Sequence, residues 1–239
     1  MIFRYAPLLE VSPVAFFAFL GSVVVALVAG ISFHEFSHAL MADNLGDPTP
    51  RRMGRLSLNP LVHLDPTGTI ILFLAGFGWG KPVPINPFLL RSGARLGSAL
   101  VAAAGPAANL VVAALAALPI KLGLVPWRTP FLDPRLFAWD ASAYTGLFLS
   151  SIVIFGIVLA IFNLIPLAPL DGFRVAGGLL PRELAEPFLR LEPYGIIILL
   201  LLLVGPFFLG GPSFLSVIMG PAVNGIAGVL TGVEVDVFG

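Results

Sequence analysis

The sequence predicts an all-α polytopic membrane protein, with about five transmembrane helices and a re-entrant, β-hairpin-like segment. Three observations predict it. Of 239 residues, 58% are hydrophobic and only 11% charged, and the mean hydropathy is +1.00; a soluble domain is about a quarter charged. From Val14 to Phe33 there is no charged residue, and similar apolar runs recur along the chain. One further apolar run, Thr67–Gly80, is about 14 residues long, too short to span about 30 Å of hydrocarbon as a helix.

Met1–Pro13 is a short interfacial lead. Arg4 and Glu10 precede the first apolar run without a small-residue cleavage site, so the lead reads as retained rather than as a signal peptide. Val14 to about Ala42 is the first helix. Asp43–Asp65 is a polar loop carrying Arg51, Arg52 and Arg55. Thr67–Gly80 combines glycines with β-formers such as Ile70, Ile71 and Phe73; at membrane depth such a strand pair is tolerable only along a protein cavity. Lys81–Pro87 breaks regular structure. Gly93–Pro119 is a helix rich in small residues, which let helices approach closely in lipid. Lys121–Asp140 is a short loop. Ala141 to about Ile165 is the third long helix, ended by Pro166 and Pro169. Arg174–Glu192 reads as a short, charge-mixed surface helix. Tyr194–Leu209 and Phe214–Thr231 read as a helical hairpin. The chain thus reads as one integral domain, residues 1–239, with a core at about 14–172 and the hairpin at about 194–231.

The net charge is zero and there is no basic run, which makes the lipid bilayer, and not nucleic acid, the expected partner. With Thr67–Gly80 re-entrant, the loops after the first and third helices share a side. That side holds nine of the 13 Lys and Arg residues (Arg51, Arg52, Arg55, Lys81, Arg91, Arg95, Arg174, Arg182 and Arg190). The positive-inside rule places it in the cytoplasm.

The chemistry concentrates in Ile31–Met41, which contains His34-Glu35-Phe36-Ser37-His38. On a helix, residues four apart share a face about 6 Å apart along the axis, so one metal ion can take both imidazoles while Glu35 polarises a metal-bound water. Ionisable groups in such a span cost roughly 2.5–3.5 kcal/mol each on insertion scales, so their presence calls for a function. There is no Cys, so a third ligand must be a carboxylate or the remaining His. Asp171 is the best candidate, a lone carboxylate after a proline-broken helix end. His63, in a polar loop, reads as loop-structuring, and Asp65 before Pro66 as a turn residue. Asn109 and Asn163 are candidates for binding the substrate carbonyl or oxyanion, with inter-helix hydrogen bonding as the alternative. Such a site suits hydrolysis, with Glu35 moving the water's proton to the leaving amine. The competing reading is a membrane metal-ion transporter using the same His and Asp residues, in which Glu35 has no task.

These motifs resemble the site-2 protease family of intramembrane zinc metalloproteases. His34-Glu35-Phe36-Ser37-His38 matches that family's zinc motif. Asn163-Leu-Ile-Pro-Leu-Ala-Pro-Leu-Asp171-Gly172 matches its second motif, in which the Asp is the third ligand. Gly105-Pro-Ala-Ala-Asn109 matches a further element, while Gly80-Lys-Pro-Val-Pro84 and Asn59 to Thr69 resemble its loop signatures. The match runs from about Val14 to Gly172. The resemblance implies one zinc ion held by His34, His38 and Asp171, Glu35 as the catalytic base, and hydrolysis of a peptide bond in or near the transmembrane helix of a membrane-protein substrate. It implies a multi-pass protein of the cell membrane. Lys121–Asp140 is short for the family's PDZ insertion and the tail short for its CBS domains, so a compact member is expected. A helical substrate must unwind to be cut, and an edge strand at Thr69–Gly76 is expected to pair with it.

Overall fold

A computed structural model describes residues 8–68, 71, 80–129, 140–209 and 215–237. Among these the protein is helical, without a named strand. A single turn, α1 (Leu8–Val11), leads into α2 (Pro13–Asn44). Ser12 caps α2 by accepting from the Ala15 amide at 3.3 Å, with Pro13 at its first position, the arrangement expected of a helix start. At about 1.5 Å per residue its 32 residues exceed a hydrocarbon core. Gly46 ends the chain's run at φ 103°, a backbone conformation that favours glycine. After α3 (Thr49–Arg52) come two 3-10 turns, Pro60–Val62 and Pro87–Leu89, and then the long helices α4 (Ala94–Lys121) and α5 (Ala141–Asn163). Asp140 caps α5 through the Ala143 amide at 2.8 Å. The shorter α6 (Asp171–Leu179), α7 (Arg182–Leu189), α8 (Gly195–Leu209) and α9 (Gly220–Thr231) complete the chain, with a π turn at Leu215–Met219 before α9.

Helices α2, α4 and α5 pack against one another, and α6 packs against α4. Small residues set the approach: a Cβ on Gly30 would fall 2.7 Å from Leu159 Cδ1, and one on Gly156 would fall 3.1 Å from the Asn109 carbonyl oxygen. Ile154, Ile157, Val153 and Ala117, all fully buried, form the main core together with Met219 and Val223 from the C-terminal segment. Ser151 donates to Ser22 at 3.0 Å between α5 and α2, both side chains fully buried.

Among the described residues, four stretches are long and apolar enough to cross a membrane: Pro13–Asn44, Ala94–Lys121, Ala141–Asn163 and Arg182–Pro206. The fifth expected, Phe214–Thr231, is described only from Leu215 on. The last apolar helix, Ser216–Thr231, has fewer than 18 residues, which at 1.5 Å each falls short of about 30 Å. The surface helix expected over Arg174–Glu192 is two helices, broken at Leu180–Pro181. The re-entrant hairpin and its edge strand fall on residues 69–70 and 72–79, outside the described residues. Their flanks meet in an isolated antiparallel bridge between Leu64 and Gly80.

Arg55 clasps these flanks. It is 7% exposed; Nη1 donates to the carbonyls of Val62 and, at 3.3 Å, Lys81, and Nη2 to that of Pro82 at 3.4 Å. The sequence grouped it with Arg51 and Arg52 as an orientation signal, but only Arg51 has an exposed ion pair, with Asp43 at 2.6 Å. His63 is fully buried and its Nε2 donates to the Ser57 carbonyl at 2.6 Å, the loop-structuring role expected of it. Removing a charged donor strands buried carbonyls, so Arg55→Met should cost about 2–3 kcal/mol. Thermal unfolding in detergent checks this as a lowered Tm.

Candidate metal centre

Helix α2 supplies two imidazoles because His34 and His38 are one turn apart on the face that α4 covers. Their rings stand edge to face, with centroids 4.5 Å apart, and both residues are 7% exposed. Asp171 arrives from the other side as the first residue of α6, after the turns that follow α5. Gly172 makes that turn possible. A Cβ there would lie 2.2 Å from the Leu164 carbonyl oxygen.

Asp171 Oδ2 lies 3.0 Å from His34 Nε2 and 3.2 Å from His38 Nε2. Tetrahedral zinc with ligands at about 2.0–2.1 Å separates its donor atoms by about 3.3 Å, so both separations from Asp171 are close to what a single ion requires. Oδ2 is buried and lacks a hydrogen-bond partner, although both nitrogens are close. Approach without hydrogen-bond alignment is what lone pairs converging on a common cation position produce. These three are the group of His, Asp and Glu side chains, among the described residues, with donor atoms mutually within 4.8 Å.

Helix α4 forms the floor. Val101, Gly105 and Asn109 are spaced four apart and face the histidines in antiparallel order. The Val101 carbonyl accepts from His38 Nδ1 at 2.7 Å, which puts the proton on Nδ1 and leaves Nε2 free to ligate. Asn109, 1% exposed, sets its amide Nδ2 3.1 Å from His34 Nδ1. Between them, a Cβ on Gly105 would sit 2.5 Å from His38 Nε2 and 2.7 Å from His34 Cε1. The sequence reading missed Gly105 as a site residue and explained it only as close helix packing. Its place in the Gly-Pro-x-x-Asn element, four residues before Asn109, was the available signal. The Val101 carbonyl, being main chain, left none.

Glu35 is half-buried on the wall of a cavity of about 470 Å³ that also exposes His34, His38 and Asp171. Leu27, Ile31, Leu159, Phe162 and, from α8, Leu199 make the walls largely apolar. Asn163 lies on the same wall, its amide donating to the Leu159 carbonyl at 2.9 Å. The structure thus brings His34, His38 and Asp171 together with Glu35 beside them. It sets Asn109 behind His34, Asn163 on the cavity wall, and His63 in the loop clasp.

Two imidazoles and a glutamate on a helix long and apolar enough for a membrane, with a carboxylate from the short α6 arranged for the same ion, fit a membrane metalloprotease. The comparisons agree. A protein of Bacillus subtilis (strain 168) named "Putative zinc metalloprotease YwhC" is 39% identical over 186 residues, covering 77% of this chain and 80% of that protein. "Putative zinc metalloprotease Rip2" of Mycolicibacterium smegmatis is 30% identical over 191 residues, 77% of this chain and 67% of that protein. The Rip2 of Mycobacterium tuberculosis (strain H37Rv) is 28% identical over 203 residues, 82% of this chain and 71% of that protein. No family model and no solved structure matches. The chain belongs to the site-2-protease-like zinc metalloproteases that include YwhC and Rip2.

Proposed function

We propose that this protein is an intramembrane zinc endopeptidase that cuts a peptide bond in or near the transmembrane helix of a membrane-protein substrate, as in regulated intramembrane proteolysis. The observation that carries the reading is the convergence of His34, His38 and Asp171 on one point between apolar helices of membrane-spanning length. His34 Nε2, His38 Nε2 and Asp171 Oδ2 would hold a single zinc ion. Zinc supplies Lewis acidity toward water and toward the scissile carbonyl when bound. Glu35 takes the proton of the attacking water and returns it to the leaving amine. The apolar cavity walls suit a substrate segment drawn from lipid, and they exclude bulk water while the few polar groups orient the peptide. Asn163, at the same wall, would contact substrate backbone. The distribution of Arg and Lys supports a multi-pass protein of the cell membrane with the site toward the cytoplasm.

The test is metal analysis paired with cleavage. Purified protein should contain one zinc per chain and cut a model transmembrane substrate. Stripping with a chelator should abolish cutting, and added zinc should restore it. Cleavage that persists at full rate in metal-stripped protein overturns the reading.

A further inference from the structure

The His34 ring has two nitrogens, and only one of them faces the centre. Zinc at Nε2 requires that Nε2 carry a lone pair, and a neutral imidazole then carries its hydrogen on Nδ1. That hydrogen lies in a dry place. The group opposite it is the side-chain amide of Asn109, 3.1 Å away and 1% exposed. The amide can present its oxygen or its nitrogen, because the two ends have nearly the same shape and assignment follows the hydrogen-bond network. The end placed toward His34 is Nδ2, at 3.1 Å, and Oδ1, turned away, lacks a partner; exchanging the two ends turns Oδ1 to the ring hydrogen. The neighbouring histidine decides the matter by analogy of geometry: His38 Nδ1 faces the Val101 carbonyl at 2.7 Å, a group that can only accept. The opposite tautomer of His34 would place a hydrogen on Nε2 toward Asp171 Oδ2, an atom that lacks an aligned hydrogen bond.

We infer that Asn109 is a positioning residue for the metal centre: its Oδ1 accepts the His34 Nδ1 hydrogen and so holds His34 in the tautomer that turns a bare Nε2 to the ion. Both ligand imidazoles are then set from one face of α4, His38 by the main-chain carbonyl of Val101 and His34 by the side-chain carbonyl of Asn109. The inference rests on the zinc reading above and replaces a substrate-binding role for Asn109 with an action through His34.

The experiment measures zinc affinity by competition with a chromophoric chelator, and the visible spectrum of the cobalt(II)-loaded protein, for full-length wild type, Asn109→Leu and Asn109→Asp. Leucine keeps the volume and removes the acceptor; aspartate keeps the acceptor. Loss of such an outer partner costs about 10–100-fold in metal affinity, so Asn109→Leu should lose at least tenfold and shift the cobalt bands. Asn109→Asp should bind zinc within threefold of wild type or tighter. An Asn109→Leu protein that binds within threefold with an unchanged cobalt spectrum overturns the inference. So does an Asn109→Asp protein as weak as the leucine variant, since the amide would then be acting as donor or filler. Should Asn109→Leu fail to fold, Asn109→Asp decides alone: affinity within threefold upholds the acceptor, and a greater loss overturns it. A wild type that takes up no zinc removes the zinc reading and this inference together, whereas zinc-binding wild type with an indifferent Asn109 removes the inference only.

Discussion

Glu35→Gln leaves zinc in place and reduces peptide hydrolysis by about 10²–10⁴-fold, the range a positioned general base contributes. Glu35 lies on the cavity wall beside the centre but is not among the three side chains whose donor atoms converge. Glutamine keeps the volume and loses the proton-accepting charge, so binding and catalysis separate. Metal content should match wild type while single-turnover cleavage of the model substrate collapses. A metal transporter built on the same ligands would retain much of its flux, having no proton to move. A variant that cleaves at more than a tenth of the wild-type rate would sink the assignment of Glu35 as base.

Gly105→Ala should remove the metal altogether. The added methyl would stand 2.5 Å from two atoms of His38 and 2.7 Å from His34 Cε1. Nonbonded carbon atoms rest at about 3.5–4.0 Å, so both rings must shift by about 1 Å, several times the roughly 0.2 Å tolerance of a ligand set. The expected loss in zinc affinity exceeds about 100-fold, with cleavage below detection. Alanine raises helix propensity by about 1 kcal/mol over glycine in a helix interior. The variant therefore tests the site more than the helix, and circular dichroism should show the helical content kept. Gly225→Ala, where a Cβ meets nothing within 4 Å, is the matched control and should change neither quantity. Wild-type zinc affinity in Gly105→Ala would mean that α4 is not the floor of the centre.

Much of this arrangement was legible in the sequence because hydropathy and helix period act locally. The three long helices α2, α4 and α5 follow from long apolar runs that begin near Ser12, Gly93 and Asp140, and the motif residues His34, Glu35 and His38 share a helix face by arithmetic. Asp171 was legible for a different reason: a carboxylate in apolar surroundings is costly unless a cation meets it. What stayed hidden depends on which element lies opposite. Arg55 carries the same charge as Arg51 and Arg52, and only the folded loop shows that three carbonyls surround it. Asn109 has donor and acceptor alike, so its sequence position could not tell a ring nitrogen from a substrate carbonyl. The last helix is mostly apolar, and hydropathy did not reveal that its described run opens with a π turn at Leu215–Met219 and is shorter than a span.

Val101, Gly105 and Asn109 all reach the histidines from one stripe of α4, and this sets the kinds of genetic change the region can absorb. Outward positions on the same helix, such as Leu100 at 40% and Val111 at 58% exposure, accept exchange among apolar residues. A codon gained or lost between Val101 and Asn109 is another matter, because one residue turns everything beyond it by about 100°. No compensating exchange elsewhere would realign the stripe, so drift within this nine-residue interval is confined to substitutions that preserve its length.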